Sequence, residues 1–188
     1  MPSTLELGAV IRNPFNRETF TFSGSADDPE VARFDVALEP GGTGGANALV
    51  HFHPKADERF AVRSGRLKVV LDDKEHFIGP GEDIVVPRGR RHFFANAKEG
   101  TTEMTVELRP AQQHVRFFAN MASLAQDHPE WFSNQGLPHF LLAALMLHSY
   151  RDHLYGVVLP QPLPKLLFAG LAPVARMKGY ALAIEPKN

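Results

Sequence analysis

Between residues 18 and 110 the apolar side chains recur at every second position in short runs, and glycine and proline separate the runs. An alternation of period two puts one set of side chains on a common face, so each run is predicted to be a half-buried strand. Glu18–Ser23 is rich in threonine and phenylalanine, and Val31–Leu38 carries Val31, Phe34, Val36 and Leu38. Asn47–His53, Arg59–Val62 and Arg66–Leu71 follow, the last with Leu67, Val69 and Leu71 on one face. After a polar hairpin tip at Asp72–Glu75 come His76–Ile78, Asp83–Val86, His92–Ala95 and Glu103–Leu108. Upstream, Leu5, Leu7, Ala9 and Ile11 alternate until Asn13-Pro14 breaks the run. Many short strands with no helical period between them predict an all-β barrel or sandwich and argue against a parallel α/β sheet.

Beyond residue 110 the period changes. Val115, Phe118, Met121 and Leu124 fall at helical intervals within Gln112–Gln126, and Asp127–Pro138 reads as an irregular connector. His139–Tyr155 is composed of good helix formers with Pro138 near its start. Pro160, Pro162 and Pro164 interrupt before a last apolar run from Lys165, where Pro173 is expected to begin a further turn or helix. Neither run reaches the roughly 18 residues that span a bilayer. The chain therefore divides into a β domain, residues 1–111, and a helical extension, residues 112–188, packed on the barrel or on a partner subunit. The extension lacks the basic polar face of a helix lying on a membrane.

Composition narrows the chemistry. A net charge of −1 gives no overall field for nucleic acid or anionic lipid. Arg88, Arg90 and Arg91 are local and read as a solvated turn, so no nucleic-acid partner is expected. With no cysteine in the chain, disulfides and thiolate sites are excluded, and any metal must be held by nitrogen and oxygen. The first residues show no basic cluster and apolar core of a secretory signal, so a cytoplasmic location is the default expectation. The glycine cluster at Gly41–Gly45 lacks the Lys-Ser/Thr ending of a phosphate loop and reads as a connector.

His51, His53, Glu58 and His92 are four good metal-ligating side chains within a short span. On a strand, His51 and His53 share a face, so their rings can converge on one ion. His76, His114, His128, His139, His148 and His153 lack ligand spacing, and His148 with Asp152 reads as a surface pair four residues apart on a helix. Phe60 and Phe94 lie two places beyond Glu58 and His92 and are expected inside, as core or as the lining of a substrate pocket.

Gly45-x5-His51-x-His53-x4-Glu58-x6-Gly65, followed by Gly81-x5-Pro87-x-Gly89-x2-His92-x3-Asn96, resembles the two signatures of the cupin family with every position filled. The resemblance covers about residues 30–110 and implies a jelly-roll barrel, a double-stranded β-helix. It also implies that His51, His53, Glu58 and His92 bind one divalent metal, and such a donor set suits Fe(II), Mn(II), Ni(II), Co(II) or Zn(II). Gly65, Gly81 and Gly89 then serve tight turns, and Asn96 ties down a loop. Family members with these ligands include dioxygenases, isomerases and decarboxylases, so the resemblance implies an enzyme of a small organic molecule, with Glu58 doubling as a base. Dioxygenase-like oxidation is favoured, with isomerisation second and a non-catalytic ligand-binding or sensing protein as the alternative. Small cupins commonly pair, so a homodimer is expected.

Overall fold

The computed structural model describes residues 5–43, 49–156 and 163–187. The end of the glycine connector with Gly45, the start of the strand predicted from Asn47, and Pro160 and Pro162 lie outside the described residues. Two antiparallel sheets face each other. The first runs in the order β1 (Val10–Asn13), β2 (Glu18–Thr21), β3 (Ala32–Leu38), β10 (Thr102–Arg109), β5 (Asp57–Ser64) and β8 (Asp83–Val86). The second runs β11 (Tyr155–Gly156), β4 (His51–Phe52), β9 (His92–Asn96), β6 (Leu67–Leu71) and β7 (Lys74–Ile78). Strands distant in sequence are therefore neighbours, as a jelly roll requires, and the all-β fold with a helical C-terminal part is the one the alternation predicts.

The period-two reading holds where both faces differ. In β5 the inward set is Glu58, Phe60 and Val62, and in β6 Leu67 and Val69 point into the core. Phe34, Val36, Phe60 and Val106 from the first sheet pack with Leu67, Val69 and Ile78 from the second in one buried cluster. In β3, however, the inward set is Ala32, Phe34, Val36 and Leu38, so the small Ala32 takes the place expected for Val31. The first strand begins at Val10 rather than at Leu5.

Helix α1 (His114–Asp127) crosses the barrel and adds Val115, Ala119 and Ala122 to its core, while Phe118 meets Phe34 at 5.1 Å between ring centroids. Its other buried side, with Phe117 and Leu124, packs against α2 (Phe140–Ser149) and α3 (Leu163–Met177) in a second cluster. Two helical expectations are corrected. The helix from residue 139 ends at Ser149, not Tyr155, and α3 runs through Pro173 instead of starting there. No helix among the described residues is long and apolar enough to cross a membrane.

One buried carboxyl stands apart from the histidines. Glu18, on β2, is 4% exposed and accepts hydrogen bonds from Thr43 Oγ1 at 2.5 Å and Asn16 Nδ2 at 3.1 Å. Burial outweighs those bonds and pushes its pKa from 4.5 up to about 7. The folded chain thus holds this proton longer than the unfolded chain does. The resulting stabilisation is fully present below pH 4.5 and is lost as pH rises through about 7, a span worth about 3 kcal/mol. Glu18→Gln is expected to flatten urea-measured stability between pH 5 and 8 and to raise it at pH 8. Parallel pH curves for the two proteins would contradict this.

Candidate metal centre

Four ligand-type side chains from separate elements meet between the two sheets. His51 lies on β4, His53 just beyond it, Glu58 on β5 of the opposite sheet and His92 on β9. His51 and His92 are directly paired across the β4–β9 ladder. All four are buried, and one ligand atom from each lies within 4.8 Å of all the others. With metal–ligand bonds near 2.1 Å, opposing donors sit about 4.2 Å apart, so the group needs only a small contraction around one ion.

Local sequence builds this convergence. The turn carrying Pro87 and Gly89 is clipped onto the first motif, because Gly89 N–H donates to the His53 carbonyl at 2.8 Å. Arg88 donates from its backbone and guanidinium to Asp57, next to Glu58, at 2.8–3.0 Å. Arg90 and Arg91 of the basic turn pair with Asp72 and Asp73 at the β6–β7 hairpin. Gly65, Gly81 and Gly89 all have positive φ, and Asn96 Nδ2 donates to the carbonyls of Leu38, Glu39 and Gly100.

The rings are oriented for ligation. His51 Nδ1 faces the Leu49 carbonyl at 2.8 Å, His53 Nδ1 the His153 carbonyl at 2.5 Å, and His92 Nδ1 the Arg90 carbonyl at 3.1 Å. Each Nδ1 must carry the proton to donate, which leaves the Nε2 lone pair for the shared centre. His53 Nε2 is a buried polar atom without a hydrogen-bond partner among the described residues. Such an orphan costs stability unless something fills the position. Opposite it, Glu58 Oε2 lies 3.4 Å from His53 Nε2 and 2.8 Å from His92 Nε2.

The electrostatics agree. Burial pushes Glu58 up, but the neighbouring His53 and His92 rings outweigh it and hold the carboxyl well below the usual range. Burial, with His92 and His53 alongside, drives His51 down to about 3, so it is a neutral imidazole at physiological pH. His92 is also opposed by burial, yet its hydrogen bond to Glu58 raises it above the ordinary value. A divalent cation would displace the proton shared there, because ligating imidazoles must be neutral. Three imidazoles and one carboxylate thus fit a single hard or borderline divalent metal.

The family model of the cupin domain matches residues 34–107, a segment that runs from within β3 to within β10 and holds all four donors. This chain carries a cupin domain. Protein SchB of Streptomyces halstedii is 32% identical to it over 60 residues, 32% of this chain and 44% of that protein, so under half of the relative is spanned. Among solved structures, a variant of Streptomyces PAC13 with uridine aligns at a TM-score of 0.45 and 24% identity, over 57% of this chain and 80% of the other. A cupin-superfamily sugar phosphate isomerase from Silicibacter pomeroyi aligns at 0.45 and 25%, over 52% and 62%.

Around the cupin donors, Phe60 is fully buried, with its ring 6.4 Å from His92 and 5.0 Å from the partly buried Phe94. Sequence reasoning passed over His114 and His153, yet both lie against the site. His114 is fully buried, 5.1 Å from His53 between ring centroids, and His153 supplies the carbonyl that holds His53. Asp152, expected on a helix beside His148, instead has a φ of 63° and binds Lys55 and Lys165 at 2.8 and 2.7 Å. These partners are separated from the cupin motifs by up to 100 residues, so no local spacing could reveal them.

Proposed function

We propose that this cupin is a mononuclear metal-dependent enzyme acting on a small organic molecule, with oxidation favoured over isomerisation. The observation that carries the reading is the buried cluster of three carbonyl-facing imidazoles with Glu58, one ligand atom of each within 4.8 Å of all the others. A bound divalent metal would supply open coordination positions and either redox or Lewis-acid character.

The residues favour the redox version for a specific reason. Isomerisation needs a group that takes and returns a proton near neutral pH. Glu58 is held well below the ordinary carboxylate range, so it serves as ligand first and is a weak base. His114, beside the site, turns both ring nitrogens toward backbone carbonyls, those of Ala111 and His153. Phe60, Phe94 and Phe118 supply apolar wall, suited to exclude water and hold an apolar or aromatic substrate.

The deep burial of all four donors also fits a non-catalytic sensor or store of a small ligand. Reconstitution with Fe(II) under nitrogen, followed by dioxygen-uptake measurements on a panel of phenols and diketones, separates the two. Substrate-dependent uptake that follows iron content is the expected result. Ligand-induced thermal stabilisation without turnover would assign binding instead.

A further inference from the structure

We infer that residues 152–156 of the C-terminal extension form an outer brace on the metal-bearing strand, with His114 as the positioning residue that holds it. The inference rests on the metal-site reading above.

Strand β4 has little support of its own. It is two residues long, and among the described residues its ladder to the rest of the barrel sheet is the pair His51↔His92. The extension supplies the remainder. Tyr155 pairs with Phe52 and Gly156 with His51, making β11 the neighbour of β4. His53 Nδ1 donates to the His153 carbonyl at 2.5 Å, and Lys55 reaches Asp152 at 2.8 Å. Two of the four proposed ligands, His51 and His53, are thus backed by one short segment from outside the matched cupin region.

The brace is itself anchored at Asp152 and His153. His153 Nδ1 faces the Arg151 and Tyr150 carbonyls at 2.9 and 3.1 Å, and its Nε2 accepts the Gln113 N–H at 2.9 Å. That arrangement fixes the tautomer of His153 and pins the segment to the start of α1. From α1, His114 Nε2 lies 3.1 Å from the same His153 carbonyl that holds His53. Tyr155 OH donates to Asp152 Oδ1 at 2.8 Å, and Lys165 of α3 closes on that oxygen at 2.7 Å. A carbonyl held from two sides cannot swing away, so the His53 ring is kept in the tautomer and plane that ligation needs. Partners of this kind typically change metal affinity by about 10- to 100-fold when removed.

The test uses the full-length chain loaded with Co(II), whose visible absorption reports ligand geometry. His114→Phe keeps an aromatic ring against His53 and removes the Nε2 that faces the His153 carbonyl at 3.1 Å, whereas His114→Gln places an N–H near the Nε2 position. Chelator competition is expected to show His114→Phe weakened about 10- to 100-fold with shifted Co(II) bands. His114→Gln is expected to recover most of the affinity and the wild-type spectrum. Should His114→Phe not fold, Asp152→Asn loosens the Lys55 and Lys165 contacts at the surface, and several-fold faster Co(II) release is expected. Wild-type affinity, spectrum and release rate in the folded variants would overturn the brace while leaving the metal site standing. A wild-type protein that takes up no Co(II) would overturn both.

Discussion

His92→Ala is expected to lose stoichiometric metal, with a fall in affinity well beyond 100-fold. Removing only a hydrogen-bonding partner of a ligand costs about 10- to 100-fold, and His92 is a proposed ligand itself. Its loss also strips Glu58 of its 2.8 Å partner, leaving a buried carboxylate with His53 at 3.4 Å. Thermal unfolding with and without chelator reads the same effect. A metal present at about 1,000 times its dissociation constant stabilises the fold by about 4 kcal/mol. For a chain of this size that is about 8–16 °C of melting temperature. Wild type should show such a drop on chelation and stay folded below it, because the ligands lie outside the hydrophobic cluster that joins the sheets. His92→Ala should show none. Equal metal content by elemental analysis in wild type and His92→Ala would end the site assignment.

Gly65→Ala is expected to destabilise the barrel by about 4 kcal/mol, more than any surface change considered above. Gly65 has a φ of 84°, in the left-handed region that costs other residues about 1–2 kcal/mol. A Cβ there would also meet Thr102 Oγ1 at 2.5 Å, Thr102 Cα at 2.6 Å and the Thr101 carbonyl at 2.7 Å. Two of those atoms are backbone and cannot swing aside, so overpacking adds about 1–3 kcal/mol. Thr102 is occupied as well: its hydroxyl donates to the Arg66 carbonyl or Asn96 Oδ1, at 3.1 and 2.8 Å, tying the end of β5 to β9. The control is Gly100→Ala, where nothing lies within 4 Å of the added carbon and φ is not in the left-handed region. Urea unfolding of the two variants side by side gives the comparison, and equal midpoints would show that the β5–β6 turn tolerates a side chain.

The strands and the four donors were readable because the information is local. Alternation in β5 and β6 set which residues point inward, and the motif spacing placed His51, His53, Glu58 and His92 before any contact was known. Where neighbours are equally apolar the reading slipped, as at Val31 and Ala32, since parity then depends on which strand lies alongside. His139–Tyr155 looked helical throughout because its residues favour helix, yet α2 stops at Ser149. Pairing of Tyr155 and Gly156 with β4, and the His53 bond to the His153 carbonyl, outweigh a weak intrinsic preference.

Residue types and their spacing were thus sufficient for an all-β barrel or sandwich and for the strands' inward faces, because each depends on dihedral limits and side-chain direction within a few residues. The jelly roll and the joint role of the four donors were implied by the resemblance to the cupin signatures. The order of strands across the two sheets, the tautomer of each ring and the backing of His53 by His153 came from the folded chain alone. Those features depend on groups up to 100 residues apart being brought within hydrogen-bonding distance, and packing, not local preference, sets that distance.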